Sequence, residues 1–316
     1  MKIYDVIILG AGPAGLSAGI YAGRYLLDTL IIEKAQDGGQ ISLTADIENY
    51  PGQIIDETES GISLAERMAK QAERFGVQRI AAEIVSVQLD GDIKRLTDTK
   101  GNVYEAKTII IATGAHARDI GCTNEKDFVG RGISFCATCD ANFYRNLEVY
   151  VVGGGDSAVE EALYLTKFAR KVTIIHRRDE LRAAKSTAQK AFANEKIHFM
   201  WDSIVEEVSG DGILEHMKVK NVKTGQSTQI DADPDDGIFG LFGFIGNIPN
   251  TEFLQESGLE MDVAGYIPTD QDMKTNIKGV FAAGDVRVKS LRQVVTATAD
   301  GAIAARMAEQ YLSAAE

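Results

Sequence analysis

The stretch Val6-Ile7-Ile8-Leu9-Gly10-Ala11-Gly12-Pro13-Ala14-Gly15 decides how the first part of this chain folds. The apolar run predicts a buried strand, and a helix is expected over Leu16–Tyr25, followed by a strand Thr29–Ile32 that ends in Glu33. This order is the dinucleotide-binding fingerprint. The first glycine permits the turn, the second admits a pyrophosphate, and the third lets helix and strand pack closely. The N–H groups at the start of the helix then face the phosphates.

The same pattern recurs 143 residues later, where Val149 corresponds to Val6. The strand Val149–Val152 runs into Gly153-Gly154-Gly155-Asp156-Ser157-Ala158, and a helix is predicted over Val159–Phe168. We call Gly10–Gly15 the first glycine loop and Gly153–Ala158 the second. Two such loops, each in the context of strand, turn and helix, predict two dinucleotide sites.

The two copies differ at the end of the strand that follows the helix. The first copy has Glu33, and an acid here accepts hydrogen bonds from a ribose 2′-hydroxyl. The strand Lys171–Ile175 of the second copy ends instead in a basic cluster. Its members are His176, Arg177, Arg178, Arg182 and Lys185. Arginines here bind a 2′-phosphate, so the second copy is expected to bind NADPH. A solvated basic helix start is the alternative reading.

The rest of the chain predicts how the two copies are joined. Segments 80–112 and 204–245 are both rich in short strands broken by turns, and each ends in an apolar strand followed by small residues. The second copy is therefore interpreted as an insertion at roughly 117–244. Residues 275–285 add a buried strand that ends in Asp285, where a polyol chain would bind. The predicted fold class is α/β, with two Rossmann-like, three-layer ββα domains.

The second distinctive stretch is Cys136-Ala137-Thr138-Cys139-Asp140, just upstream of the second glycine loop. Two thiols at this spacing form and open a disulfide, and the adjacent acid is suited to move the proton that the exchange requires. Asp140 is therefore the candidate acid/base beside the candidate redox pair Cys136 and Cys139. A zinc site completed by His116 and Cys122 is the alternative, although their spacing is loose for a ligand pair.

Composition narrows the class of protein. The 316 residues include 46 acidic and 33 basic side chains, for a net charge of −13, which disfavours a nucleic-acid binder. No apolar run is long enough to cross a bilayer, and the N-terminal apolar run is too short for a signal peptide. Three cysteines do not make a structural disulfide framework. A cytoplasmic protein with no membrane association is expected.

Nine short motifs occur in an order that resembles the low-molecular-weight, bacterial-type thioredoxin reductases, of the pyridine nucleotide-disulfide oxidoreductases. In chain order they are Gly10–Gly15, Gly38-Gly39-Gln40, Asn49-Tyr50-Pro51-Gly52, Ala112-Thr113-Gly114-Ala115, Cys136–Asp140, Gly153–Ala158, His176-Arg177-Arg178 with Arg182, Gly284-Asp285 and Arg292-Gln293. The resemblance covers essentially the whole chain. The chain differs from the usual family pattern at Ala141, where glycine is common, and at Gln53, where the family has an aromatic residue.

The resemblance implies a homodimer that binds FAD on residues 1–116 and 245–316 and NADPH on residues 117–244. The implied FAD contacts are Gly10, Gly12, Pro13, Ala14, Gly15, Glu33, Gly39, Gln40, Asn49, Ala112, Thr113, Gly114, Asp285, Arg292, Gln293 and Val294. The implied NADPH contacts are Gly153, Gly155, Asp156, Ser157, Ala158, His176, Arg177, Arg178 and Arg182.

The implied activity is reduction of thioredoxin, in which electrons pass from NADPH to FAD, to the Cys136–Cys139 disulfide and then to the partner protein. The resemblance places Cys139 beside the flavin and makes Cys136 the thiol that attacks the partner. Two alternatives stay open: a reductase of another thioredoxin-like or peroxiredoxin-linked disulfide protein, and a flavin-bound redox sensor that is not an enzyme. A sensor has little need for the basic cluster, because it does not turn over NADPH.

Overall fold

The computed structural model describes residues 2–43, 47, 49–52 and 59–314. The position Gln53 therefore lies outside the described residues. The chain divides into two compact units, one formed by Met1–His116 with Ile248–Glu316 and the other by Ala117–Asn247. The second unit thus ends at Asn247 rather than at residue 244. Each of the two crossings between the units lies inside a short strand, Ala115–Ala117 and Asn247–Pro249.

The described residues form seventeen strands and seven α-helices. The strands are β1 (Ile3–Leu9), β2 (Thr29–Glu33), β3 (Gln78–Ala81), β4 (Ile84–Gln88), β5 (Lys94–Asp98), β6 (Val103–Ile111), β7 (Ala115–Ala117), β8 (Ile133–Ser134), β9 (Glu148–Val152), β10 (Lys171–Ile175), β11 (Ile197–Met200), β12 (Ser203–Ser209), β13 (His216–Asn221), β14 (Ser227–Asp231), β15 (Gly240–Gly243), β16 (Asn247–Pro249) and β17 (Val280–Ala282).

The helices are α1 (Pro13–Arg24), α2 (Gly61–Arg74), α3 (Glu125–Phe128), α4 (Ala137–Asp140), α5 (Asp156–Leu165), α6 (Lys185–Phe192) and α7 (Val294–Ser313). Short 3-10 turns occur at Gly39–Leu43, Ala141–Tyr144, Glu252–Leu254 and Gly284–Val286. Within the described part of the chain, no helix is long and apolar enough to span a membrane.

The first unit is built on a seven-stranded sheet. Strands β3, β2, β1, β6 and β17 are parallel, and β4 and β5 add to the first half of β6 as an antiparallel meander. Alternate residues of β1 face opposite sides. Ile8 packs into a core with the helices, whereas Ile7 packs into a core with meander residues such as Leu96. The unit therefore has three layers: helices, parallel sheet and meander.

The second unit repeats this architecture. Strands β11, β10, β9, β15 and β8 form a parallel sheet, and β12, β13 and β14 form a separate antiparallel meander. Val151 of β9 packs with helix residues such as Val159 and Ala162, while Tyr150 packs with Val205 and Val219 of the meander. The predicted α/β fold with two three-layer, Rossmann-like units is confirmed.

The repeated strands and helices lie close to their predicted positions in both copies. The predicted strand Lys171–Ile175 matches β10, whereas the helices α1 and α5 both begin three residues earlier than predicted, at Pro13 and Asp156. The reason is the same in both copies: an extended glycine forms the N-cap, so the helix starts inside the glycine loop. The carboxyl ends of the central strands are therefore occupied by a glycine loop and a helix N-terminus.

Candidate functional site

In the first glycine loop, Gly10 and Gly15 are required by the packing of the protein, independently of any ligand. Gly10 has φ +104°, in the region that favours glycine, and a Cβ on it would lie 2.4 Å from the Ala112 carbonyl oxygen. A Cβ on Gly15 would lie 1.9 Å from the Gly10 carbonyl oxygen. These two positions let strand β1, strand β6 and helix α1 approach one another. Pro13 occupies the first turn of α1, where its missing N–H costs nothing.

The middle glycine, Gly12, has no such requirement. Its φ of −75° and ψ of −178° are open to any residue, and the nearest atom to an added Cβ would be the Gly38 carbonyl oxygen at 3.9 Å. Glycine at this position therefore leaves empty space directly above the N-terminus of α1. That space is the cradle that a dinucleotide pyrophosphate requires.

Glu33, at the end of β2, is tied to the first glycine loop. Its carboxylate accepts hydrogen bonds from the Ala11 N–H at 2.7 Å and from the Ala35 N–H at 2.9 Å. Sequence reasoning predicted only a ribose contact for this residue. Each carboxylate oxygen accepts more than one hydrogen bond, so Glu33 retains acceptor capacity while it also holds the loop in place.

The next two family motifs contact other parts of the first unit, the first glycine loop in one case and the start of α7 in the other. The Gly38 N–H donates to the Ala11 carbonyl at 2.8 Å, and a Cβ on Gly39 would lie 3.6 Å from the Gly12 Cα. Gln40 follows them on the surface. Farther along the chain, the Asn49 amide donates to Gln293 Oε1 at 3.0 Å. Gln293 is the N-cap of α7, and Val294 is that helix's first, buried residue.

Asp285 follows β17 at the same edge of the first sheet. Its Oδ1 atom is buried and has no hydrogen-bond partner within the described residues. Burial raises the pKa of Asp285, and the charges of Lys289 and Arg292 partly offset that rise. Arg292 Nε is likewise buried and unpartnered, and its guanidinium lies 4.4 Å from the Tyr266 ring. An unpaired buried acceptor and an unpaired buried donor indicate that a polar ligand belongs here.

The stretch Ala112-Thr113-Gly114 at the end of β6 is held by a residue that sequence reasoning missed. Asn250 donates its amide N–H to the Thr113 carbonyl at 2.7 Å, and Thr113 Oγ1 donates to the Asn250 carbonyl at 2.8 Å. Asn250 also contacts His116 Nδ1 at 2.8 Å. The partners are 137 residues apart, so no local pattern signals this contact.

In the second glycine loop, the three glycines have different roles. A Cβ on Gly153 would lie 2.6 Å from the Ala158 Cβ, so Gly153 permits close helix packing. A Cβ on Gly154 would lie 2.4 Å from the His176 ring. Gly155 resembles Gly12: its φ of −89° and ψ of −178° suit any residue, and nothing lies within 4 Å of an added Cβ. Asp156 and Ser157 are exposed at the start of α5.

His176 differs from the other members of the basic cluster. Its ring is 7% exposed and covers Gly154. Burial lowers the pKa of His176, and the charges of Arg178, Arg177 and Arg182 lower it further. His176 is therefore neutral at neutral pH and forms a wall of the loop, whereas sequence reasoning grouped it with the cations. Its buried Nε2 atom has no partner within the described residues.

The three arginines are exposed around this wall. Among the described residues, no carboxylate lies within 4 Å of Arg177, Arg178 or Arg182, although acids outnumber bases in the chain. The Arg182 N–H donates to the Gly154 carbonyl at 2.6 Å. The segment that carries the arginines therefore docks onto the second glycine loop and leaves their guanidinium groups available to an anion.

The dithiol pair lies at the end of β8, in the second unit. Cys136 and Cys139 form a disulfide with an S–S distance of 2.12 Å and a Cα–Cα distance of 5.3 Å. Ser134 Oγ accepts the Cys136 N–H at 3.1 Å and donates to Asp140 Oδ2 at 2.6 Å. Burial raises the pKa of Asp140, and the bond from Ser134 opposes this rise. Ser134, which sequence reasoning missed, links the disulfide backbone to the adjacent acid.

The disulfide and the second glycine loop share one edge of one sheet. Phe242 of β15 is in register with Ser134 on one side and with Val151 on the other. The two strands that lead to these features are therefore separated by one strand, or roughly 10 Å. A Cβ on Gly243 would lie 2.7 Å from the Phe135 ring, so glycine here makes room for the chain leading into Cys136.

The third cysteine, Cys122, is not part of the disulfide. Cys122 is half-buried and has no disulfide partner, and burial raises its pKa to about 12. Its thiol is therefore protonated and unreactive at neutral pH. The part of the chain that the structure describes contains no group of three or more His, Cys, Asp or Glu side chains arranged to hold a metal ion. Cys136 and Cys139 are bonded to each other rather than grouped with His116 and Cys122.

Comparison with known proteins identifies the family. The chain matches the pyridine nucleotide-disulphide oxidoreductase family over residues 4–301, and it belongs to that family. Membership implies a flavin and a nicotinamide cofactor. The two glycine loops, each with a cradle that a side chain would fill, fit two such dinucleotides.

Three relatives place the chain more narrowly within the family. It is 56% identical to thioredoxin reductase from Peptoclostridium litorale over 311 residues, covering 98% of both chains. It is 44% identical to thioredoxin reductase from Bacillus subtilis over 312 residues, covering 98% of this chain and 95% of the relative. The crystal structure of thioredoxin reductase from Streptococcus pyogenes matches with a TM-score of 0.91 and 46% identity, covering 99% of each chain. The predicted resemblance is confirmed.

Proposed function

We propose that this protein is a flavoprotein thioredoxin-disulfide reductase that uses NADPH and FAD. The observation that carries the proposal is the Cys136–Cys139 disulfide beside the half-buried acid Asp140, on the same sheet edge as the second glycine loop. A disulfide that is reduced to a dithiol and then exchanges with a partner's disulfide is what a disulfide reductase requires. The sequence relatives named thioredoxin reductase support thioredoxin as the substrate.

In this proposal the first unit holds FAD and the second holds NADPH. Glu33 accepts hydrogen bonds from the unphosphorylated ribose of FAD, and Asp285 with Arg292 receives the polar part of the flavin chain. Arg177 and Arg178 bind the 2′-phosphate that distinguishes NADPH from NADH. When bound, the two cofactors supply two electrons that open the disulfide.

The protein's own residues then perform thiol–disulfide exchange. The Cys136 thiolate attacks one sulfur of the thioredoxin disulfide, which forms a mixed disulfide and releases the first thioredoxin thiol. The Cys139 thiolate attacks Cys136 Sγ, which re-forms the Cys136–Cys139 disulfide and releases the second thiol. Two electrons and two protons thus pass to thioredoxin. Asp140 is the proposed acid/base for these proton transfers, because burial raises its pKa toward the working range.

Two further features follow from family resemblance and complete the proposal. We expect a homodimer, with each subunit carrying its own FAD and NADPH sites. We also expect a cytoplasmic protein, since a dithiol that cycles between its oxidised and reduced forms belongs in a reducing compartment. Size-exclusion chromatography with light scattering tests the first expectation directly.

The test uses the purified yellow holoprotein under anaerobic conditions. NADPH is expected to bleach the flavin absorbance faster than NADH at equal concentration, and oxidised thioredoxin is expected to restore it. Steady-state disulfide reduction is then measured with a panel of thioredoxins, with Cys136→Ser as the inactive variant. If NADPH bleaches the flavin but oxidised thioredoxin does not restore the absorbance, the substrate is another disulfide protein. If neither NADPH nor NADH bleaches the flavin, the reductase activity is contradicted and the redox sensor is the alternative that remains.

A further inference from the structure

A buried carboxylate in α7 gathers three donors near the proposed flavin site. Asp300 is 6% exposed, and its Oδ2 atom accepts hydrogen bonds from the Gly284 N–H at 3.1 Å, Arg287 Nε at 2.8 Å and Lys289 Nζ at 2.7 Å. The Lys289 side chain is itself only 7% exposed. Arg287 is held a second time, because its Nη1 donates to Thr269 Oγ1 at 2.7 Å.

The residue next to Gly284 is Asp285, whose Oδ1 is buried without a partner within the described residues. The charge of Lys289 reaches this carboxylate, since it is the largest of the influences that lower the pKa of Asp285 against the effect of burial. The hydrogen bond of Lys289 nevertheless goes to Asp300. One ammonium group therefore lies within the influence of two carboxylates and is bonded to only one of them.

The partners of Arg287 and Lys289 indicate how each side chain would respond to loss of the Asp300 carboxylate. Arg287 has a second acceptor in Thr269, whereas the hydrogen bond of Lys289 within the described residues goes to Asp300. A buried ammonium without a partner is strongly disfavoured, because its charge has lost the solvation of water. The lysine side chain is a flexible four-carbon stem. Lys289 would consequently turn to Asp285, the other carboxylate on which its charge acts.

We propose that Asp300 is a positioning residue that keeps Lys289 away from Asp285, so that the Asp285 carboxylate stays free to accept hydroxyl groups of the bound flavin dinucleotide. The inference rests on the proposed function, because it assumes that the first unit binds FAD. In this proposal the Arg287–Asp300–Lys289 cluster contributes to FAD binding as well as to stability. Asp300 also keeps Gly284 in its left-handed conformation at φ +78°, directly against helix α1.

The test measures the affinity of apoprotein for FAD by the change in flavin fluorescence, with activity left aside. Asp300→Asn keeps an acceptor for the Gly284 N–H but removes the charge. It is expected to weaken FAD binding by about tenfold or more, the equivalent of one hydrogen bond to a charged group. Asp300→Asn/Lys289→Met removes the competing ammonium and is expected to return to within about threefold of the unaltered protein. Lys289→Met alone is the matched control.

A merely structural role gives a different result. Asp300→Asn would then lower the melting temperature of apoprotein, measured by circular dichroism, and Lys289→Met would not restore FAD affinity. If Asp300→Asn does not fold, Asp300→Asn/Lys289→Met is compared with Lys289→Met. Equal FAD affinity of these two supports the proposal, and a tenfold difference between them overturns it.

The outcomes also separate this inference from the proposed function. An unaltered protein that does not bind FAD would contradict the proposed function itself. An unaltered protein that binds FAD, together with an Asp300→Asn variant that folds and binds it equally well, would overturn only the role of Asp300.

Discussion

The two glycine loops have nearly the same backbone and opposite electrostatic surroundings. The first loop is bonded to the Glu33 carboxylate, which accepts the Ala11 N–H. The second loop is covered by the neutral His176 ring and bordered by exposed arginines without carboxylate partners in the described part of the chain. In the proposed function, one fold provides two phosphate cradles, and a few residues at the end of the following strand adapt each cradle to a different ribose.

The second difference is the chemistry attached to each loop. Within the described residues, the redox disulfide belongs to the second unit, one strand away from the second glycine loop. The corresponding region of the first unit presents two buried polar atoms, Asp285 Oδ1 and Arg292 Nε, that have no partner in the part of the chain that the structure describes. In the proposed function, the first unit holds the flavin cofactor while the second exchanges both nucleotide and electrons.

The largest expected effect comes from the disulfide. Cys136→Ser is expected to lower thioredoxin reduction by at least about 10³-fold, because the attacking sulfur is lost. Flavin content and bleaching by NADPH should stay unchanged, which a spectrum of the same sample checks. Cys122→Ser is the matched control and should keep full activity, since its thiol is protonated at neutral pH. A large loss in the control would contradict this division of roles.

The next effect separates the two cradles. Gly12→Ala is expected to weaken FAD binding, and Gly155→Ala the binding of NADPH, each by roughly 100-fold through displacement of the phosphates. Both apoproteins should keep their stability to within about 1 kcal/mol, because the backbone at both positions suits alanine and this gain offsets the poorer fit of alanine as an N-cap. Calorimetry and equilibrium dialysis measure the two quantities.

Gly15→Ala provides the contrast to these two variants. Its Cβ would meet the Gly10 carbonyl oxygen at 1.9 Å, so this variant should lose stability rather than ligand affinity alone. Equal behaviour of all three variants would show that Gly12 and Gly155 are structural glycines.

A smaller effect tests the charge difference between the loops. Arg177→Ala and Arg178→Ala are each expected to raise the KM for NADPH by about tenfold, with little change for NADH, because each removes one hydrogen bond to a doubly charged phosphate. Lys190→Ala, an exposed cation on α6, is the matched control. Equal losses with NADPH and NADH would mean that the arginines do not contact the 2′-phosphate.

The smallest effect concerns the acid beside the disulfide. The Ser134 hydroxyl lowers the pKa of Asp140 against the effect of burial. Ser134→Ala should therefore raise this pKa further, so that Asp140 stays protonated to a higher pH. The corresponding limb of the pH–rate profile is expected to move up by at most about one unit. Ser134→Thr, which retains the hydroxyl, should restore the profile. A loss of stability without a change in the profile would leave Ser134 only a structural role.

Local sequence patterns were sufficient to predict the strands and helices that the two copies share. The strands β1, β9 and β10 and the helices α1 and α5 follow from runs of apolar residues and from glycine spacing, which act over fewer than about ten residues. The helix starts were wrong by three residues, because an extended glycine inside each loop serves as the N-cap.

Other site residues depend on contacts between distant parts of the chain. Asn250 reaches Thr113 across 137 residues, and Gly284 donates to Asp300 only because α7 packs beside β17. Ser134 is a single hydroxyl in an ordinary strand, and its hydrogen bonds with Asp140 and the Cys136 N–H depend on the turn that follows it. Such residues carry no motif, because any residue type can be brought to a site by folding.

The sequence by itself determined the two glycine loops, the acid and the arginines that distinguish them, and the pair of thiols, because each is a local arrangement with its own chemistry. The tertiary structure decided which of these groups is charged, buried or available. It made His176 neutral, left Gly12 and Gly155 as open cradles, and left Asp285 Oδ1 without a partner among the described residues while Lys289 is bonded to Asp300. The physical reason is that protonation and hydrogen bonding depend on what surrounds a group in space, which the order of residues does not state.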